Sequence, residues 1–202
     1  EIPATLGIFI TPGNTGTEHY PDGLGPVGCT GYACTGNPNH RAPEYDAVND
    51  TYARFLTEEM LPEVAKSYSF TSDPMKRAIG GTSSGAICAW TVAWNKPEAF
   101  GNVISFIGSY TSIGYKPATA TTPVIVGGDT YPGLIRKNPI RPIRIFLQDG
   151  ANDLNNEHGS WFLANQQMLS SLQWANANAD LKKVAGPSYD VKFEWGDGAH
   201  AD

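Results

Sequence analysis

Gly81-Thr82-Ser83-Ser84-Gly85 fits the pattern Gly-x-Ser-x-Gly. A serine hydroxyl is a weak nucleophile until a base takes its proton. The pattern acquires chemistry when a strand runs into it and a helix leaves it. The turn between them strains the serine backbone, exposes its oxygen, and sets it over the helix N-terminus. A free N–H there, with the positive end of the helix dipole, favours an oxyanion. The flanks meet the condition. Ala78-Ile79-Gly80 reads as a strand, and residues 84–95 (SGAICAWTVAWN) read as an apolar helix stopped before Pro97. Glycines on both sides of the turn are expected to spare the strand and helix a side-chain clash. Ser83 is the candidate nucleophile and the Ser84 N–H the candidate oxyanion donor.

Such a serine needs a base, and the base an orienting acid. Along the chain this kind of turn is followed by the acid and then the histidine. His19 and His40 precede Ser83 and break that order. His158 sits in a polar loop (LNNEHGSW) and reads as a surface residue. His200 lies past the last strand, in Gly196-Asp197-Gly198-Ala199-His200, and is the candidate base. The acid should leave the end of the strand between them, which runs into Gln148-Asp149-Gly150-Ala151-Asn152-Asp153. Asp149 and Asp153 both qualify. Turn chemistry explains Asp149-Gly150, so Asp153 is the candidate acid.

The elements that must position these groups alternate along the chain. Residues 6–11, 76–81, 102–107, 143–148 and 190–195 are short apolar runs that read as strands. Tyr52, Phe55, Leu56, Met60 and Val64 recur at helical spacing within 45–66, and a helix over 160–177 starts on Ser160 as N-cap. Near-continuous apolar strands separated by helices predict an α/β fold, a mainly parallel sheet with helices on both faces. Residues 12–44 form a long Gly/Pro/Asn-rich loop of the kind that serves as an active-site lid.

Composition narrows the class. The chain has 202 residues, 41% hydrophobic and 11% aromatic, enough for a core. Gly and Pro number 22 and 15, roughly 18% against a usual value of about 12%. A net charge of −6 with 17% charged residues is a poor match to a phosphate backbone, so no nucleic-acid partner is expected. No apolar run is long enough to span a membrane, and no signal-peptide pattern opens the chain. Cys88 reads as a buried small hydrophobe. Cys29 and Cys34 are either a disulfide, implying an oxidising compartment, or two loop thiols. No second Cys or His pair stands at zinc-ligand spacing. The Asn49-Asp50-Thr51 sequon has no diagnostic weight on its own.

With these residues in view, the chain resembles an esterase family of the α/β-hydrolase superfamily. That family holds enterochelin (ferric-siderophore) esterases, feruloyl and acetyl-xylan esterases of carbohydrate esterase family 1, the esterase-D group and mycolyltransferases. Arg41-Ala42-Pro43-Glu44-Tyr45, Phe55-Leu56 and Glu59-Met60-Leu61-Pro62 resemble its stretch before the serine turn. Ile79 through Gly85, Pro97-Glu98-Ala99-Phe100-Gly101 and Gly108-Ser109-Tyr110 resemble its turn, helix and next strand. Leu147 through Asp153, Ala164-Asn165-Gln166-Gln167-Met168 and Trp195 through His200 resemble its acid and histidine loops. The resemblance implies a Ser83-Asp153-His200 triad, needing no cofactor or metal.

The resemblance also implies an eight-stranded sheet. Five strands are legible, with Ser83 after the second, so residues 1–202 read as one partial domain lacking the first three strands and the closing helix. The second oxyanion donor is then expected from a segment outside this sequence. The expected activity is hydrolysis of a small-molecule or carbohydrate-linked ester (sugar-linked, phenolic or siderophore) through an acyl-enzyme. Tyr110 or Trp161 is expected to line the substrate pocket. An acyltransferase with the same triad, or a non-catalytic binding domain that retains the fold, are the alternatives. The family implies a secreted or periplasmic site of action.

Overall fold

The computed structural model describes residues 4–13, 40–179 and 188–200. Four strands form a wholly parallel sheet: β1 (Ala78–Thr82), β2 (Asn102–Phe106), β3 (Arg144–Gly150) and β6 (Asp190–Gly196), in the order β1-β2-β3-β6. A two-residue hairpin, β4 (Asn155–Asn156) with β5 (Gly159–Ser160), follows β3. In-register pairs carry Ile79 beside Val103, Val103 beside Ile145, and Ile145 beside Val191 across one face.

Each crossover passes through a helix. α4 (Ser84–Asn95) links β1 to β2, α5 (Tyr131–Lys137) lies between β2 and β3, and α6 (Trp161–Ala177) leads to β6. Sheet order follows chain order, and crossovers of this kind are right-handed. All three of these helices therefore fall on one face of the parallel sheet, in the α/β arrangement expected from the strands. Val103, Ser105, Ile145, Leu147 and Asp149 are buried beneath that face. On the opposite face Ile104 and Phe106 stay 39% and 40% exposed, Phe106 meeting the Phe146 ring edge-on.

α4 is buried around most of its circumference, because α1 (Arg41–Tyr45) and α2 (Thr51–Arg54) pack over its outer side. That explains its uniformly apolar sequence. The helix expected over 45–66 is broken at residues 46–50 and resumes as α2. It then passes through a π-helical turn (Phe55–Met60) into α3 (Leu61–Ala65). Pro62, in the first turn of α3, brings no N–H and would press on the carbonyl of Glu58; the wider turn relieves that contact. α6 begins as its sequence predicts, with Ser160 Oγ accepting from the Leu163 N–H at 3.5 Å.

The expected strand at 6–11 is not one. Leu6, Ile8 and Ile10 line a cavity of about 390 Å³ with Tyr52, Leu56, Ile79 and Cys88, while Phe9 points the other way and is 98% exposed. The alternation is strand-like, but the segment pairs with no described strand, so the pattern produces no ladder. His19, Cys29, Cys34 and most of the 12–44 loop lie outside the described residues.

Candidate active site

Ser83 stands between β1 and α4 with φ 58° and ψ −119°, a backbone that non-glycine residues rarely adopt. Its N–H is held by Phe106 O at 3.0 Å. Gly81 is required: a Cβ there would lie 2.5 Å from Gly85 C. Gly85 is not required in the way expected, since a Cβ there meets no described atom within 4 Å. The close approach is between the two backbones, and only the Gly81 side closes it.

Ser83 Oγ lies 2.8 Å from His200 Nε2, and His200 Nδ1 lies 2.5 Å from Asp153 Oδ1. Asp153 Oδ1 also accepts from the Leu154 N–H at 2.5 Å. The Asp153 carboxylate is fully buried, while the His200 ring keeps 21% exposure. An anchored acceptor behind a half-open imidazole and a serine hydroxyl is an arrangement that can deprotonate the hydroxyl. His158 is elsewhere, on the β4–β5 hairpin with its Nε2 3.9 Å from Glu157 Oε1.

The loop carrying His200 is tied to the loop carrying Asp153. Ala151 N–H donates to Gly196 O at 2.8 Å, Asn152 N–H to Gly198 O at 3.3 Å, and the Asn152 side chain to Asp197 O at 2.6 Å. Asp149, the other carboxyl of the stretch, points into the core. It accepts from the Gly150 N–H at 2.7 Å and from Asn165 Nδ2 at 2.6 Å. Burial, with Asp153 beside it, pushes the Asp149 carboxyl well above the usual carboxylate range.

Ser84 starts α4, and its N–H has no hydrogen-bond partner among the described residues. Its hydroxyl accepts from Arg41 Nη1 at 2.8 Å, which ties α1 to the serine turn. Asp46 is buried close by; burial raises its carboxyl pKa, opposed by Ser84 and Arg41.

Tyr110 and Trp161, expected to line a substrate pocket, are buried to 1% and 2% exposure. The Tyr110 hydroxyl pairs with Ser105 Oγ at 2.9 Å. Trp161 sets its ring edgewise to His200, centroids 5.5 Å apart, and its Nε1–H donates to Ser109 Oγ at 3.0 Å. Both support the site from behind rather than present a surface to a ligand. Ser109, 3.1 Å from Ser83 Oγ, was not singled out as a site residue from sequence. Its signals are a Gly-Ser step after a strand, which any turn shares, and the resemblance of Gly108-Ser109-Tyr110 to the family stretch, neither of which assigns the hydroxyl a role. Among the described residues no cluster of three or more His, Cys, Asp or Glu could hold a metal, and no helix is long and apolar enough to cross a membrane.

A parallel sheet with a serine turn at the C-terminal end of one strand, and the acid and histidine leaving later strands, is an α/β-hydrolase-type arrangement. The sequence matches the family model "Putative esterase" over residues 26–187, and the chain belongs to that esterase family. No curated protein matches it significantly. Among solved structures, it is similar to the enterochelin esterase from Shigella flexneri, with a TM-score of 0.59 and 21% identity over 80% of this chain and 35% of that one. It is similar to a ferulic acid esterase, with a TM-score of 0.54 and 19% identity over 78% and 58%. It is also similar to an S-formylglutathione hydrolase from Agrobacterium tumefaciens, with a TM-score of 0.51 and 16% identity over 79% and 56%. These likenesses show the fold. The chain spans about a third of the length of the enterochelin esterases it matches.

Proposed function

We propose that this chain is a serine esterase that cleaves carboxylic esters through an acyl-enzyme, with Ser83 as nucleophile, His200 as base and Asp153 as orienting acid. The observation that carries the reading is the continuous line from Ser83 Oγ to His200 Nε2 and from His200 Nδ1 to Asp153 Oδ1. His200 takes the Ser83 proton as Oγ attacks the ester carbon. The Ser84 N–H and the N-terminal end of α4 offer stabilisation to the tetrahedral oxyanion. His200 then protonates the leaving alcohol, and water repeats the sequence on the acyl-enzyme. Asp153 fixes the imidazole tautomer and stabilises the imidazolium. No step calls on a metal or organic cofactor.

The substrate class we propose is a sugar-linked, phenolic or siderophore ester. It is supported by family membership and by relatives that bear the names enterochelin esterase and ferulic acid esterase. The same reading puts the site of action in the periplasm or outside the cell. The test is release of nitrophenol from p-nitrophenyl acetate and of ferulate from methyl ferulate, by the wild-type chain and by Ser83→Ala and His200→Ala. Hydrolysis lost in both variants is the expected result. Hydrolysis that survives Ser83→Ala refutes the reading.

A further inference from the structure

Two non-glycine residues among the described ones hold positive φ: Ser83, and Ile107 at 44°. The serine turn accounts for the first. Ile107 is β-branched and among the residues least suited to that region. It follows β2, the strand next to β1, and its N–H is held by Gln148 O at 2.7 Å. The chain then turns through Gly108, where a Cβ would lie 2.3 Å from the Tyr110 ring and 2.8 Å from Ser105 Oγ. Asn165 Nδ2 clamps the turn by donating to Gly108 O at 2.9 Å. What this strained, clamped turn delivers is Ser109, fully buried. The Ser109 N–H reaches Ser83 O at 3.3 Å, and its Oγ lies 3.1 Å from Ser83 Oγ.

Donor and acceptor capacity fixes the direction of every bond in the line. The Trp161 indole N–H can only donate, so Ser109 Oγ accepts it and its own proton is free to point elsewhere. At the other end the Asp153 carboxylate accepts from His200 Nδ1, so Nε2 is left to accept the Ser83 proton. With that proton committed, Ser83 Oγ meets Ser109 only as an acceptor. The sequence of donors is Trp161 to Ser109, Ser109 to Ser83, Ser83 to His200, and His200 to Asp153.

We propose that Ser109 is a fourth working residue of the site, whose hydroxyl donates to Ser83 Oγ and stabilises that oxygen as it leaves the acyl-enzyme. The inference rests on the esterase reading above. In deacylation water attacks the acyl carbon and His200 takes the water proton. The C–Oγ bond then breaks, its electron pair moves onto Ser83 Oγ, and His200 returns the proton there. Ser109 keeps its own proton throughout and shares it with Oγ as charge develops. In acylation the same bond withdraws density from the attacking oxygen, so its benefit there is smaller.

The test is stopped-flow hydrolysis of p-nitrophenyl acetate by wild type, Ser109→Ala and Ser109→Cys, with thermal melts to establish that each variant folds. Ser109→Ala is expected to slow breakdown of the acyl-enzyme about tenfold, the loss of one hydrogen bond to a charged oxygen. Acylation changes far less, so kcat and KM fall together and a burst of nitrophenol appears. Ser109→Cys, a weaker donor of similar size, falls between. The inference is overturned if either folded variant breaks down the acyl-enzyme at the wild-type rate. It is equally overturned if acylation and deacylation slow to the same extent. A wild type without hydrolysis, or hydrolysis that survives Ser83→Ala, overturns the esterase reading and this inference with it.

Discussion

Gly150→Ala probes the hold that the end of β3 has on the histidine loop. A Cβ at Gly150 would lie 2.0 Å from Gly198 O, 2.6 Å from its C and 2.8 Å from its N. Since Cβ atoms essentially never sit within 3.0 Å of such atoms, the loop must retreat by about 1 Å. It cannot retreat freely, because bonds from Ala151 and Asn152 tie Gly196, Asp197 and Gly198 to the same stretch. His200 follows two residues later, 2.8 Å from Ser83 Oγ. A displacement of about 1 Å carries that contact to roughly 3.8 Å, beyond hydrogen-bond range. Misplacement on that scale costs roughly 10²-fold in rate, about 2.7 kcal/mol of barrier. The assay is kcat/KM on p-nitrophenyl acetate beside a thermal melt, with Gly198→Ala as the control. A Cβ at Gly198 meets nothing within 4 Å, so that variant is expected to keep wild-type activity. The reasoning is refuted if folded Gly150→Ala stays close to wild-type activity, or if Gly198→Ala loses as much.

Three further outcomes are expected. Gly133→Ala in α5 enters open space and removes helix-interior glycine; it should stabilise the fold by about 0.5–1 kcal/mol, read as a rise in Tm. Asp153→Asn should lower kcat by about 10⁴, because an amide cannot hold His200 in the required tautomer; steady-state kinetics on a folded variant checks it. Asp149→Asn should flatten the pH dependence of stability. Burial, and then Asp153, raise the Asp149 carboxyl in the folded chain, which therefore holds a proton that the unfolded chain releases near pH ~4. The contribution is complete below that pH and is lost as pH climbs toward the raised native value. Wild type should then lose Tm over this window while Asp149→Asn loses less, and equal slopes would contradict the assignment.

The serine turn was legible because its requirements are local: a strand, a glycine, a serine and a helix in one short stretch. α4 and α6 were legible for a similar reason, since Pro97 stops one and Ser160 caps the other. Asp153 could be preferred over Asp149 from sequence, yet the reason the structure offers differs. Asp149 turns into the core against Asn165, a residue 16 positions away that no local pattern connects to it. The segment 6–11 misled because alternation reports which side of a chain is apolar, not whether a partner strand is present. Ser109 stayed hidden because its role depends on the backbone at Ile107 and on Trp161 from α6, both visible only once the chain is folded. α5, a seven-residue helix in a Gly- and Pro-containing stretch, gave too little periodicity to read.

The most direct measurement of the central claim is intact-mass spectrometry of the chain before and after a fluorophosphonate probe, with peptide mapping of the adduct. The account predicts one adduct per chain, on Ser83, lost in His200→Ala and slowed in Asp153→Asn. A folded chain that takes no label, or labels at a serine other than Ser83, would contradict it.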